Sequence, residues 1–178
     1  MKHHPFSFAI LLLTGVAQAH VVLDQPEAPA GSAYRAALRV SHGCAGSPTT
    51  AVTVQLPEGL RHVKAQPKPG WTLNIRKARL ARPDESHGKP VGEGTVEISW
   101  VAQGEANQLQ DDWFDEFVLR ATLPERTGAL WFKVLQRCVQ GEQAWTEVPT
   151  EGQSGAALKA PAARLRLLPA EGGPHAGH

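Results

Sequence analysis

From Ala33 onward, apolar residues recur at every second position in short runs separated by Pro- and Gly-containing turns. Tyr34, Ala36, Leu38 and Val40 form one such run, and Val52, Val54 and Leu56 another, closed by Pro57-Glu58-Gly59. Pro67-Lys68-Pro69-Gly70 leads into Trp71, Leu73 and Ile75. Val96, Ile98 and Trp100 alternate in the same way, as do Phe117, Leu119, Ala121 and Leu123, and finally Leu130, Phe132 and Val134. A period of two marks strands with one face buried, because successive side chains of an extended chain point to opposite faces. Several strands of this kind, with no amphipathic helix between them, predict an all-β sandwich of a single domain. Arg82 to Gly94, rich in Pro, Gly and charge, reads as a loop or a long hairpin. From about Glu151 the periodicity fades. Leu165, Leu167 and Leu168 predict a last strand at a sheet edge, and Glu171 to His178 a disordered tail.

The start of the chain has a different character. Lys2, His3 and His4 precede an apolar stretch from Phe6 to Val16, and Ala17-Gln18-Ala19 follows as a small-x-small site. This is the layout of a secretory signal peptide, and the apolar stretch is well short of the roughly 20 residues that span a bilayer. The expected organisation is a cleaved signal peptide over 1–19, a sandwich domain over 20–168 and a tail over 169–178, with the mature protein in the periplasm. No membrane span is expected after cleavage. The formal net charge is +1 and the basic residues are scattered, which gives no footprint for nucleic acid.

The cysteines sharpen the picture. Cys44 and Cys138 are the only two, and in an exported chain a pair is read first as a disulfide. Strand parity agrees. Counting by twos from Val40 reaches His42 and Cys44, and counting by twos from Val134 reaches Gln136 and Cys138. If the pleat holds, both sulfurs face inward and can meet between the sheets. A bridge closing so long a loop contributes up to about 4 to 5 kcal/mol in the chain-entropy picture.

Cleavage after Ala19 makes His20 the first residue of the mature chain. An N-terminal histidine offers the α-amine and ring Nδ1 together, which close a chelate on a metal. Nitrogen donors in this arrangement favour Cu(II), the ion that also tops the divalent affinity series.

The order of several short motifs behind the signal peptide resembles the YcnI-like family of bacterial copper-binding domains. The motifs are His20-Val21, Leu56-Pro57-Glu58-Gly59, Pro67-Lys68-Pro69-Gly70-Trp71, Trp113-Phe114-Asp115-Glu116-Phe117 and Trp145-Thr146-Glu147. The resemblance implies an immunoglobulin-like or cupredoxin-like β-sandwich and a Cu(II) site of the single-histidine-brace type. His20 matches the chelating histidine and Trp145 the tryptophan beside the metal. The family's carboxylate has no counterpart, because its position reads Val40-Ser41-His42-Gly43-Cys44. His42 is then the expected further ligand, with Asp115 and Glu116 as alternatives. His62 and His87 are expected at the surface, and His175 and His178 in the tail.

The leading expectation is a copper carrier in copper homeostasis, with no enzymatic activity, whose partners are other exported or membrane copper-handling proteins. A copper-dependent oxidative enzyme resembling a polysaccharide monooxygenase and a metal-free structural sandwich are the alternatives. Tyr34, the single tyrosine, belongs to the core by parity and is not available to an aromatic substrate surface.

Overall fold

The computed structural model describes residues 20–86 and 89–170. Eleven strands form two sheets. They are β1 (Val22–Leu23), β2 (Glu27–Pro29), β3 (Ala33–Val40), β4 (Thr49–Gln55), β5 (Arg61–Ala65), β6 (Trp71–Ser86), β7 (Lys89–Ala102), β8 (Asp115–Thr122), β9 (Gly128–Cys138), β10 (Glu142–Trp145) and β11 (Ala163–Leu168). One sheet runs β1-β3-β8-β5, and the other β2-β11-β9-β4-β7-β6, with β10 also paired to β9. Helical structure among the described residues is confined to two single turns, at Glu105–Asn107 and Gly155–Ala157.

The alternation read from the sequence is the burial pattern of the fold. Ala36 and Leu38 of β3, Val52 and Val54 of β4, Ile98 and Trp100 of β7, Phe117 of β8 and Phe132 and Val134 of β9 are all buried in one core. The sheets interlock through aromatic edges. Phe117, from the four-stranded sheet, meets Trp71 and Trp100 of the other at ring separations of 5.2 and 5.7 Å. Edge-to-face contacts of this kind add to the area they bury. Trp100 also hands its indole proton to the Gln66 carbonyl at 2.9 Å.

Three expectations are refined. Arg82 to Gly94 belongs to the β6–β7 hairpin, which keeps antiparallel pairing out to Ser86 and Lys89. Ile75, counted with the buried face, is half exposed. The last strand, β11, is not an edge. It lies between β9, antiparallel, and the short β2, parallel, so Leu165 and Leu167 are buried. A strand's periodicity reports its faces but not its neighbours, and β2 is too short to carry a pattern of its own. Residues 1–19, expected as a signal peptide, His87 and residues 171–178, with His175 and His178, lie outside the described residues. No helix among the described residues is long and apolar enough to cross a membrane.

The two cysteines are joined as expected, with Cα atoms 5.9 Å apart; Cys138 is buried at the end of β9, whereas Cys44 is half-buried in a turn beyond the end of β3, where the pleat no longer runs. The bond ties the loop leaving β3 to the end of β9, and so one sheet to the other.

Tyr34 is buried as expected and donates to the Gln25 carbonyl at 2.6 Å. Burial, with the Asp24 carboxylate nearby, pushes its phenol up to about 12. An unfolded chain's phenol ionises near 10. Between pH 10 and 12 the unfolded state therefore loses a proton that the folded state keeps. Stability is intact below that window and falls as pH rises through it, by about 1.4 kcal/mol per pH unit. Tyr34→Phe is expected to flatten this alkaline decline in urea unfolding of the mature protein; parallel declines in both proteins would refute it.

Candidate metal centre

The pairing of β1 with β3 decides where His20 lies, the residue expected to begin the mature chain. Val22 is opposite Arg39 and Leu23 opposite Leu38. Continued by two residues, the antiparallel register brings His20 alongside Ser41, next to His42. Val21 and Leu23 are both buried, so apolar anchors seat the chain immediately behind His20. Trp145 arrives from the other sheet. It closes β10, opposite Val134 and diagonal to Gln136 on β9, and is 5% exposed. The three residues singled out in the sequence thus come together. The His20 and Trp145 rings lie 5.6 Å apart at 67°, and those of His42 and Trp145 6.0 Å apart at 79°. Both imidazoles meet the same indole edge to face.

The His42 loop is held from several sides. Gly43 N–H donates to Asp111 Oδ1 at 2.9 Å. Cys44 and Ser47 exchange two backbone hydrogen bonds of 3.0 Å around Ala45 and Gly46, both at positive φ, the type I′ form of tight turn. The Cys44–Cys138 bond fixes the next residue to β9. His42 Nδ1 contacts the Gly43 carbonyl oxygen. That oxygen can only accept, so the ring proton belongs on Nδ1 and the lone pair on Nε2.

Below the loop lies Gln136, fully buried. Its Nε2 donates to the His42 carbonyl at 2.6 Å and to Thr49 Oγ1 at 2.8 Å. Its Oε1 accepts from Trp145 Nε1 at 3.0 Å. Thr49 reaches this position because β4 slips register against β9 between Thr49 and Ala51. Strict alternation from Val54 and Val52 would send Thr50 inward; the bulge turns Thr49 in instead. Gln136 and Thr49 are the residues that a search for metal ligands passes over. The available signal was an amide on the inward face of β9, between Val134 and Cys138.

The alternative carboxylates are engaged elsewhere. Asp115 pairs with Lys68, and Glu116 with Arg35 at 3.1 Å. His62 is exposed, as expected, within 3.4 Å of Thr122 Oγ1. Among the described residues no three His, Cys, Asp or Glu side chains form a metal set. His20 and His42 each pack against Trp145. A metal held here would need a third donor from the backbone, and the α-amine that the expected cleavage would expose at His20 is of the right kind. With that amine the donors are all nitrogen, which fits Cu(II).

Two surfaces border the site. A cleft of about 510 Å³ opens beside His20, walled by Val21, Leu23, Trp131 and Pro161, with the Arg164 guanidinium 5.9 Å from the Trp131 ring centre. Trp113 and Phe114 stand exposed near Ser41. The structure thus gives the chain an aromatic surface that the sequence reading, attentive to Tyr34, did not anticipate.

Residues 20–167 match the model of a family described as "Domain of unknown function (DUF1775)". The chain is also similar to a solved structure described as an uncharacterized protein from Nocardia farcinica with an immunoglobulin-like fold. The two are 28% identical, the match covers 83% of this chain and 97% of the other, and the TM-score is 0.62. No curated protein matches. The sandwich is therefore of the immunoglobulin-like kind.

The loop geometry gives a direct test. A Cβ placed on Gly43 would lie 1.9 Å from the Ser47 carbonyl oxygen and 2.8 Å from its carbon, a backbone clash that no rotamer change relieves. Gly43→Ala is expected to cost about 1–3 kcal/mol and to alter Trp145 fluorescence. Unchanged stability and emission would show that the loop yields freely.

Proposed function

The chain belongs to the DUF1775 family, and we propose that its mature form is an exported protein that binds one Cu(II) ion at its N-terminus and carries it. The observation that supports this most is the meeting of His20 and His42 around Trp145. Signal-peptide cleavage converts the amide nitrogen of His20 into an amine. The amine and Nδ1 of His20 chelate the ion, and Nε2 of His42 supplies a third nitrogen. Trp145 has no lone pair to offer on its indole N–H, and that proton is already directed at Gln136. Its ring acts as an apolar wall that limits water at the metal. The disulfide fits an oxidising compartment and holds the His42 loop in place before metal arrives. Other exported or membrane copper-handling proteins are the partners for delivery.

Processing itself provides the first test. Protein beginning at His20 is expected to bind one equivalent of Cu(II). Protein carrying a single extra N-terminal residue should bind far more weakly, because the chelate loses its amine. Equal affinity in isothermal titration would sink the proposal.

The second test addresses the departure from the family's carboxylate. His42→Ala should weaken Cu(II) binding at least tenfold and change the nitrogen hyperfine pattern in electron paramagnetic resonance, while His42→Glu should recover part of the affinity. Asp115→Asn and Glu116→Gln should leave both measurements unchanged, since these acids pair with Lys68 and Arg35. An unaltered spectrum in His42→Ala, or a lost site in Asp115→Asn, would move the ligand role to the acid.

A further inference from the structure

We infer that Gln136 is the positioning residue of this site: its one amide sets both the backbone of His42 and the plane of Trp145. The hydrogen bonds are a matter of geometry alone; their consequence for copper rests on the function proposed above.

The argument begins with polarity. The His42 carbonyl can only accept, and the Trp145 indole N–H can only donate. Gln136 lies between them, on the inward face of β9 and fully buried. Its donor end faces the carbonyl at 2.6 Å and its acceptor end faces the indole at 3.0 Å. The second amide proton goes to Thr49 Oγ1 at 2.8 Å. The carbonyl and the indole are each of fixed type, so the amide has one orientation, without the usual uncertainty over exchanging its oxygen and nitrogen. An ionised glutamate here would present acceptors to both partners. Leucine and methionine present nothing to either, and asparagine is one methylene shorter.

The amide's two contacts reach the two sides of the candidate site. One fixes the peptide group that follows the His42 side chain. The other fixes the tryptophan against which both imidazoles pack. Gln136 therefore acts on His42 directly and on His20 through the indole. Thr49, presented by the β4 bulge, ties the same amide to the disulfide, because Thr49 Oγ1 also lies 3.9 Å from Cys138 Sγ. Partners behind a metal site orient its ligands, and their loss typically lowers metal affinity about 10- to 100-fold.

The test uses mature protein beginning at His20, with Gln136→Met and Gln136→Glu. The Trp145 indole N–H is followed by NMR in the metal-free state, and Cu(II) affinity and electron paramagnetic resonance are measured separately. Wild type is expected to show slow exchange of that proton. Gln136→Met should move its resonance, speed its exchange at least tenfold, lower Cu(II) affinity by about 10- to 100-fold and change the copper spectrum. Gln136→Glu should separate the two contacts. Its ionised carboxylate still accepts from the indole, so the Trp145 resonance stays near its wild-type position. Once ionised it cannot donate to the His42 carbonyl, whereas the neutral carboxyl that burial favours can, so copper affinity falls relative to wild type as pH is raised. A residue that merely fills space predicts the opposite order, with methionine tolerated and the buried charge disruptive at Trp145. Wild-type exchange and wild-type affinity in Gln136→Met would overturn the inference. If wild type takes no Cu(II), the proposed function fails, and the metal-free indole exchange still decides the role of Gln136. Should neither variant fold, wild-type protein decides it: indole exchange complete on mixing would overturn the assignment.

Discussion

The inner end of β9 places an amide where water cannot reach it. A polar group moved out of water without a partner costs free energy on the scale of a hydrogen bond or more, so buried polar groups are almost always paired. Gln136 meets that requirement with a carbonyl, a hydroxyl and an indole from three separate parts of the chain. No buried side-chain polar atom among the described residues lacks a partner. Satisfying this one amide constrains the loop after β3, the bulge in β4 and the β9–β10 hairpin together.

The same end of the sandwich carries the covalent link. Cys138 lies two residues beyond Gln136 and Cys44 two residues beyond His42, so disulfide and amide grip the same loop from adjacent inward positions of β9. The tight turn at Ala45 and Gly46 and the Asp111 contact to Gly43 complete the hold. Connecting segments generally run over the surface and move more than the strands they join. This one is fixed by a bond, a turn and two side chains, which hold the His42 ring beside Trp145.

Much of this was legible in the sequence, for a specific reason. Parity propagates along a strand, so the alternation of Leu130 to Val134 carried through to Gln136 and Cys138, whereas the count from Tyr34 to Val40 reaches His42 and Cys44 only beyond the end of β3, where the pleat no longer runs. The disulfide expected from counting by twos is present. What counting cannot supply is the identity of a neighbour. The position of β11 inside its sheet depends on β2, three residues long. The entry of Thr49 into the core depends on a bulge, which breaks the very periodicity used to find the strand. Asp115 and Glu116 looked available as ligands because their cationic partners, Lys68 and Arg35, are distant in sequence. Trp145, expected beside the site, also belongs to the core, and its ring borders two histidines.

Chain termini usually fray unless something ties them down. Here the tie is immediate. Val21 and Leu23 are buried and β1 pairs with β3, so the hydrophobic effect fixes the residue next to His20. On the proposed function, copper would not have to order a loose arm, because the segment behind His20 is already placed by folding. The surrounding charges suit the same design. Asp115 and Glu116 are neutralised by their own cations, which leaves the two imidazoles without a competing carboxylate in a three-residue set. Under the proposed function, such a site completed by an amine would bind through neutral nitrogen donors alone. Its selectivity would then rest on the affinity order of divalent ions for nitrogen and on the shape set by Trp145 and Gln136.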